Sequence, residues 1–312
     1  TLALAPAASV LLTLGVQHWV VSKGMARIQA RLDERAIHLA DIRGKAMAQG
    51  AVIAAGADPI VQATALGNLP PDNPQVMEKL ALIRDKLGAD NLFVMSANGV
   101  VKSYFVQPGT STQTGKSLGW RPYFTGAIAG MLTVYAALGS NTRERGIYVA
   151  APIQAETAGF APIGVIVAKL NFDEIDRFLA EESIPVAVVS PEGIVFASNR
   201  PDWRYRVLGG EQQLYAVKNG RRASRAYEKT PPVLLALDAD GETTQEGREF
   251  KLLSAPIGWA DPTGAWKMVG FVDSAAIFGW PARLGTAAAL FLVLMLLCAW
   301  LQARRRAHWK AR

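Results

Sequence analysis

Nineteen consecutive uncharged residues, Leu284 to Gln302, set the first limit on this chain. A helix needs roughly 20 apolar residues to cross the hydrocarbon core, so LGTAAALFLVLMLLCAWLQ reads as a membrane span, assigned to residues 283–303. Arg304, Arg305 and Arg306 follow at once, and the positive-inside tendency makes 304–312 the cytoplasmic start of an output region. The opening stretch, residues 1–22, is also uncharged and reads as a first span, although Pro6, Gln17 and His18 weaken it. A cleaved signal peptide is the alternative; it fits less well because the apolar run continues through Trp19, Val20 and Val21 into a helical pattern. The chain begins at Thr, so residues are expected before it. Two spans with a basic exit place the intervening region outside a bacterial inner membrane, in the periplasm.

Composition supports a membrane protein with a folded outer part. Half of the 312 residues are hydrophobic and 19% are charged, too apolar for a disordered chain. The formal charge of +7 is local: five of the 33 basic residues lie in the last nine positions, leaving 28 basic against 26 acidic. A nearly neutral body gives no footing for nucleic acid, and the basic end suits orientation and anionic headgroups. The only cysteine, Cys298, lies inside the second span, so the outer region is held by packing without disulfides.

The outer region reads as a long helix and two mixed modules. Ile28, Leu32, Ala36, Leu39 and Ile42 recur at helical spacing between charged residues, giving a helix over 23–56 continuous with the first span. A second helix is expected over Pro74–Leu87. Residues 91–96 and 100–105 flank the turn Ala97-Asn98-Gly99 and read as a hairpin; further strands are expected at 132–138, 146–153 and 164–170. Pro122 suits the first turn of a short helix, and a helix over 173–181 closes the first module, 57–182. The second module, 183–278, opens with a similar strand, turn and strand over 185–198, with later strands at 249–255 and 266–273, which suggests a tandem pair. The fold class is therefore α+β, with two sheet modules, a long N-terminal helix and two flanking transmembrane helices.

Ordered motifs carry a resemblance. Gly119-Trp120-Arg121-Pro122-Tyr123-Phe124, the segments Tyr135–Thr142, Gly146–Ala150, Gly164–Lys169 and Ser190–Ser198, and Asp202–Arg206 resemble the periplasmic double-Cache (tandem PAS-like) sensor region of dicarboxylate-transport sensor histidine kinases of the DctB type. The resemblance runs from about residue 23 to the second span. It implies that the membrane-distal module binds a four-carbon dicarboxylate through Arg121, Tyr123, Ser140, Thr142 and Lys169. The chemistry is sound in its own right, because a dianion needs two separated cations: Arg offers a planar fork and Lys a point charge. Tyr135 and Tyr148 on neighbouring strands would wall the carbon chain and donate a phenol hydrogen bond.

Read alone, Arg121 before a proline fits a solvated loop cation equally well, and both tyrosines fit an ordinary core. Lys169 shares a strand face with Val165 and Val167, so it belongs either at a wet strand end or in a pocket with an anion. Ala150 and Asn141 stand where the family tends to carry hydroxyl residues, which leaves a monocarboxylate or a substituted diacid open beside the plain dicarboxylate.

The implied function is ligand sensing relayed through the second span, in a homodimer, to a histidine kinase that acts with ATP and Mg²⁺ on a response regulator. A diguanylate cyclase or chemoreceptor output is the runner-up, and a protein-interaction module without a small ligand is the reading from another class. His18, His38 and His308 are scattered and no phosphate-binding loop is present, so no catalytic site, metal site or cofactor is expected within these residues.

Overall fold

The computed structural model describes residues 4–42, 47–105, 112–139, 144–155, 161–219, 234–238, 241–245, 247–273 and 280–310. The chain forms two compact units, one of Leu32–Leu237 with Ser254–Gly270 and one of Thr1–Arg31, Asp238–Leu253 and Phe271–Arg312.

In the larger unit, three helices cover one face of a first sheet. They are α2 (Met47–Gly56), α3 (Pro59–Leu66) and α4 (Pro74–Leu87). Local chemistry fixes the ends of the last two. Asp58 accepts from the Ile60 N–H at 2.9 Å and Asn73 from the Gln75 N–H at 2.9 Å, each just before a proline. Gly67 and Gly88 close them at φ 79° and 58°, a left-handed turn that costs glycine little. The helices bury Val52, Val61, Ala65, Val76 and Leu80.

The first sheet is antiparallel in the order β2-β1-β5-β4-β3. Its strands are β1 (Asn91–Ser96), β2 (Val101–Phe105), β3 (Thr133–Leu138), β4 (Arg145–Ile153) and β5 (Gly164–Asn171). Burial along β1 and nearly all of β5 is continuous, as expected of strands covered on both faces. Alternation turns Leu92, Val94, Ile166 and Ala168 towards the helices. On the opposite face Phe93, Met95, Val165, Val167 and Ala150 form a cluster with Tyr123, Phe124 and Ala127 around α5 (Pro122–Ile128).

A second sheet has the order β10-β11-β12-β6-β7. Its strands are β6 (Val186–Val189), β7 (Val195–Ser198), β10 (Glu242–Gln245), β11 (Arg248–Ile257) and β12 (Trp266–Asp273). The tandem pattern seen in the sequence extends to hydrogen bonds. Ser96 N–H donates to Val100 O and Ser190 N–H to Ile194 O, both at 2.9 Å; Gly99 N–H donates to Ser96 O at 2.9 Å and Gly193 N–H to Ser190 O at 2.8 Å. Each hairpin also shifts register one pair before its turn, between Val94 and Met95 and between Val188 and Val189.

The two sheets meet within this unit through α6 (Asp173–Ala180) and a chain of edge-to-face rings, Phe172 to Phe196 to Trp266. Arg145, at the start of β4, donates through Nη1 and Nη2 to Asp176 Oδ1 (2.9 Å) and Oδ2 (2.5 Å), and through Nη1 to Phe196 O at 3.4 Å. The tip between β11 and β12 adds another tie: Val134 N–H donates to Ala260 O at 3.0 Å. α1 (Leu4–Ile42) is one continuous helix, and its Leu32, Ala36 and Leu39 are buried. His38 stacks on Phe178 of α6, and Arg35 lies over the same ring while pairing with Glu182. Within the long helix expected over 23–56, the described residues form α1 to Ile42 and α2 from Met47 to Gly56. A parallel strand pair, β8 (Val207–Gly209) with β9 (Leu234–Ala236), and helix α7 (Glu211–Asn219) complete the unit and had no counterpart in the sequence reading.

The smaller unit holds the first part of α1, the β10–β11 hairpin and α8 (Trp280–Lys310). Within α8, Leu284–Arg306 is long and apolar enough to cross a membrane, with Leu292, Leu296 and Trp300 exposed along it.

Candidate ligand-binding site

Strand register assembles the site. Tyr135 of β3 pairs with Tyr148 of β4, Tyr148 with Lys169 of β5, and Lys169 with Asn91 of β1, which lays four chemically active side chains along one rung. They share the face covered by α5. Arg121 is the residue that enters α5, in extended conformation before Pro122, and Tyr123 is the second residue of the helix. Between sheet and helix lies a pocket with about 390 Å³ of empty space including its mouth. Arg121, Tyr123, Tyr148 and Lys169 line it together with Asn91, Tyr104 and Gln113; Phe93, Leu118 and Gly139 complete the wall.

Both cations are buried. Arg121 is 7% exposed; its Nη1 and Nη2 donate to Leu138 O at 3.4 and 3.5 Å, while the guanidinium lies 4.5 Å from the Trp120 ring centre. No carboxylate pairs with it among the described residues. Lys169 is 4% exposed, and its Nζ donates to Glu144 Oε2 at 3.1 Å, a carboxylate whose side chain is itself mostly in solvent. The lysine stem crosses β4 at Gly146, where an added Cβ would come within 2.8 Å of Lys169 Cε. The glycine leaves room for the lysine stem to lie along the pocket face of the sheet.

The aromatic wall is stacked. Tyr123 and Tyr148 rings lie 5.0 Å apart and nearly parallel, Phe93 meets Tyr123 edge-on at 6.2 Å, and Phe93 stacks on Tyr104 at 5.2 Å. Burial pushes the phenols of Tyr104, Tyr123 and Tyr148 upward, that of Tyr148 to about 12, although Arg121 pulls the last two back. All three therefore stay protonated near neutrality and serve as hydrogen-bond donors or acceptors. Thr133 fixes the helix from beneath, its hydroxyl donating to Tyr123 O at 3.1 Å.

The arrangement brings together Arg121, Tyr123, Tyr148 and Lys169 of the seven residues named from the sequence. Tyr135 is half-buried and is not in the pocket wall; its ring centre lies 6.4 Å from that of Tyr123. Ser140, Thr142 and Asn141 lie outside the described residues. Ala150 is fully buried in the apolar cluster and is not part of the pocket wall. Asn91, Tyr104 and Gln113 were missed. Asn91 follows once β1 is paired with β5 so that it faces Lys169; Gln113 carries no periodic signal at all.

The chain is similar to two curated sensor proteins. It is 31% identical over 130 residues to the C4-dicarboxylate transport sensor protein DctB of Pseudomonas aeruginosa, covering 41% of this chain and 20% of that protein. It is 26% identical over 140 residues to DctB of Rhizobium meliloti, covering 44% and 22%. Among solved structures, the DctB sensor domain of V. cholerae superposes with a TM-score of 0.56 at 20% identity, covering 83% of this chain and 96% of that domain. The chain is thus similar to DctB sensor proteins over part of its length and shares the fold of the V. cholerae DctB sensor domain. The Cache fold is shared more widely: the ligand-binding domain of the Pseudomonas aeruginosa amino acid chemoreceptor PctB, in complex with L-Arg, superposes with a TM-score of 0.51 at 15% identity over 82% of this chain and 98% of that one. No protein-family model matches the chain. It spans about one fifth of the length of the curated relatives. The pocket belongs to the first sheet, and β12, the last strand before α8 in the chain, belongs to the second.

Proposed function

We propose that this region senses a small organic acid with two carboxylates, of the four-carbon dicarboxylate kind, and reports it across a bacterial inner membrane. The observation that carries this reading is the buried Arg121, which has no carboxylate partner among the described residues, sharing a pocket with the buried Lys169. A buried cation is costly unless paired, so a site that keeps two of them is complementary to a dianion. Arg121 would take one carboxylate as a fork and Lys169 the other as a point charge, exchanging Glu144 for the ligand. Tyr123, Tyr148 and Tyr104 supply neutral phenols and flat walls for the carbon chain between the two ends.

The two sheets would be periplasmic, α8 would span the membrane, and residues 304–312 would enter the cytoplasm. The dicarboxylate sensing named in the DctB relatives supports the ligand class. The region would act as a homodimer controlling a histidine kinase that uses ATP and Mg²⁺ and has a response regulator as partner; the histidine kinase named for the V. cholerae domain supports that output. Ser140 and Thr142 are proposed to complete the carboxylate contacts, with Tyr135 bracing Tyr123. Signalling requires that the acid bind one state of the dimer better than the other.

Calorimetry of the 312-residue chain in detergent with succinate tests the site. Saturable binding is expected, and Arg121→Ala and Lys169→Ala should each weaken it by roughly 2–5 kcal/mol, the range for stripping one partner from a buried charge pair. Absence of heat, or full affinity in both variants, would overturn the assignment.

A further inference from the structure

Gln113 is 8% exposed, lines the pocket with both cations, and its Oε1 is enclosed with no hydrogen-bond partner. An unmet acceptor inside a ligand cavity is a request for a donor, because burial without one forfeits the hydrogen bond that water would give. The loop that carries it is anchored: Lys116 N–H donates to Gln113 O at 3.0 Å, and Val101 N–H donates to Lys116 O at 3.0 Å. The amide is therefore presented by a fixed backbone in the wall of the pocket that holds both cations.

We propose that Gln113 is a specificity residue and that the preferred ligand is a diacid bearing a hydroxyl on its carbon chain. The proposal rests on the dicarboxylate reading of the same pocket. Once Arg121 and Lys169 hold the two carboxylates, the segment between them faces the tyrosines and Gln113. An unsubstituted chain fills that space and leaves Oε1 without a donor; a hydroxyl supplies the donor and can accept from a phenol of the wall. An ammonium would also donate, but it would stand between two cations with no carboxylate among the described lining residues. The hydroxyl is the neutral donor that suits this electrostatic setting.

The test compares L-malate, succinate and L-aspartate by calorimetry on the full chain in detergent, in wild type, Gln113→Leu and Gln113→Met. Wild type should prefer L-malate to succinate by about tenfold, the change carried by one buried hydrogen bond. Both variants should bring that ratio close to one while retaining succinate affinity. Equal affinity for the two acids in wild type, with no effect of the variants, overturns the role of Gln113 and leaves the diacid pocket standing. Equal loss of both acids in both variants also overturns it, since the amide would then be holding the loop. L-aspartate binding tighter than L-malate overturns the hydroxyl in favour of an amine. Failure of all three acids to bind, in a chain that melts cooperatively, removes the dicarboxylate reading and this inference with it.

Discussion

Replacing Gly146 with alanine should disarm the pocket without substituting any residue that would contact the ligand. The glycine lies on β4 between Ala137 and Asn171, two residues before Tyr148 on the same face. A Cβ built there falls 2.8 Å from Lys169 Cε and 3.0 Å from Lys169 Cγ, where ordinary contact begins at 3.4 Å. The stem must retreat by about 0.6 Å at Cε. The two nearest atoms belong to a flexible side chain and the backbone oxygen of Leu170, at 3.3 Å, is only just inside ordinary contact, so the strand yields little: a stability change within about 1 kcal/mol is expected, with overpacking set against the lower unfolded-state entropy of alanine. The ammonium is carried off its line to the ligand. A charge-assisted hydrogen bond contributes about 1.5–3 kcal/mol, so dicarboxylate affinity should fall at least about tenfold. Calorimetry with succinate and thermal melts by circular dichroism, on the same detergent-solubilised preparation, separate the two effects. In the Lys169→Ala background the glycine change should cost nothing further, as two substitutions acting on one interaction do not add. Full affinity in Gly146→Ala, or an undiminished second loss in the double variant, would refute the reasoning.

Two other substitutions probe separate charges. Glu144 is the carboxylate that Lys169 holds at 3.1 Å, on a side chain 68% exposed; Glu144→Gln should raise dicarboxylate affinity about twofold to fivefold, the range of an exposed pair, and a fall would show that Glu144 positions the lysine and does not compete for it. Asp261 accepts from Trp266 Nε1 at 2.6 Å and from Thr263 N–H at 2.7 Å, yet burial outweighs both and raises its pKa above the usual carboxylate value. A raised folded-state pKa means the stabilising contribution is greatest in acid and is lost as pH climbs through that pKa. The melting advantage of wild type over Asp261→Asn should therefore be larger at about pH 4 than at about pH 7, and a gap that widens towards neutrality would contradict it.

Much of the sheet architecture was legible because it rests on periodicity and punctuation. Alternation put Lys169 on the face of Val165 and Val167, and the two polar-glycine turns marked hairpins that prove alike to the hydrogen bond. The amphipathic spacing around Leu32, Ala36 and Leu39 marked a helix with a buried stripe. What escaped depends on long-range pairing or on no pattern at all. β8 and β9 are three residues each and meet across 27 positions of sequence, from Val207 to Leu234, so neither announces itself locally. Arg121 alone was ambiguous between solvent and pocket; only the placement of α5 over the sheet buries it. Gln113 sits in a loop, where neither helical nor strand spacing applies and burial is decided entirely by tertiary packing.

Glu144, Arg145 and Gly146 are consecutive, and each answers to a different demand. The first gives Lys169 a counter-charge, the second holds Asp176 and the Phe196 carbonyl at the second sheet, and the third clears the path of the lysine stem. Mutation cannot trade these roles one position at a time, since shifting the tripeptide by a single residue turns every side chain to the opposite face of β4. For anyone grafting this pocket onto another Cache scaffold, those three positions form one indivisible cassette: transplanting Lys169 without them delivers a cation that has neither room, nor an opposing charge, nor a hold on the neighbouring sheet.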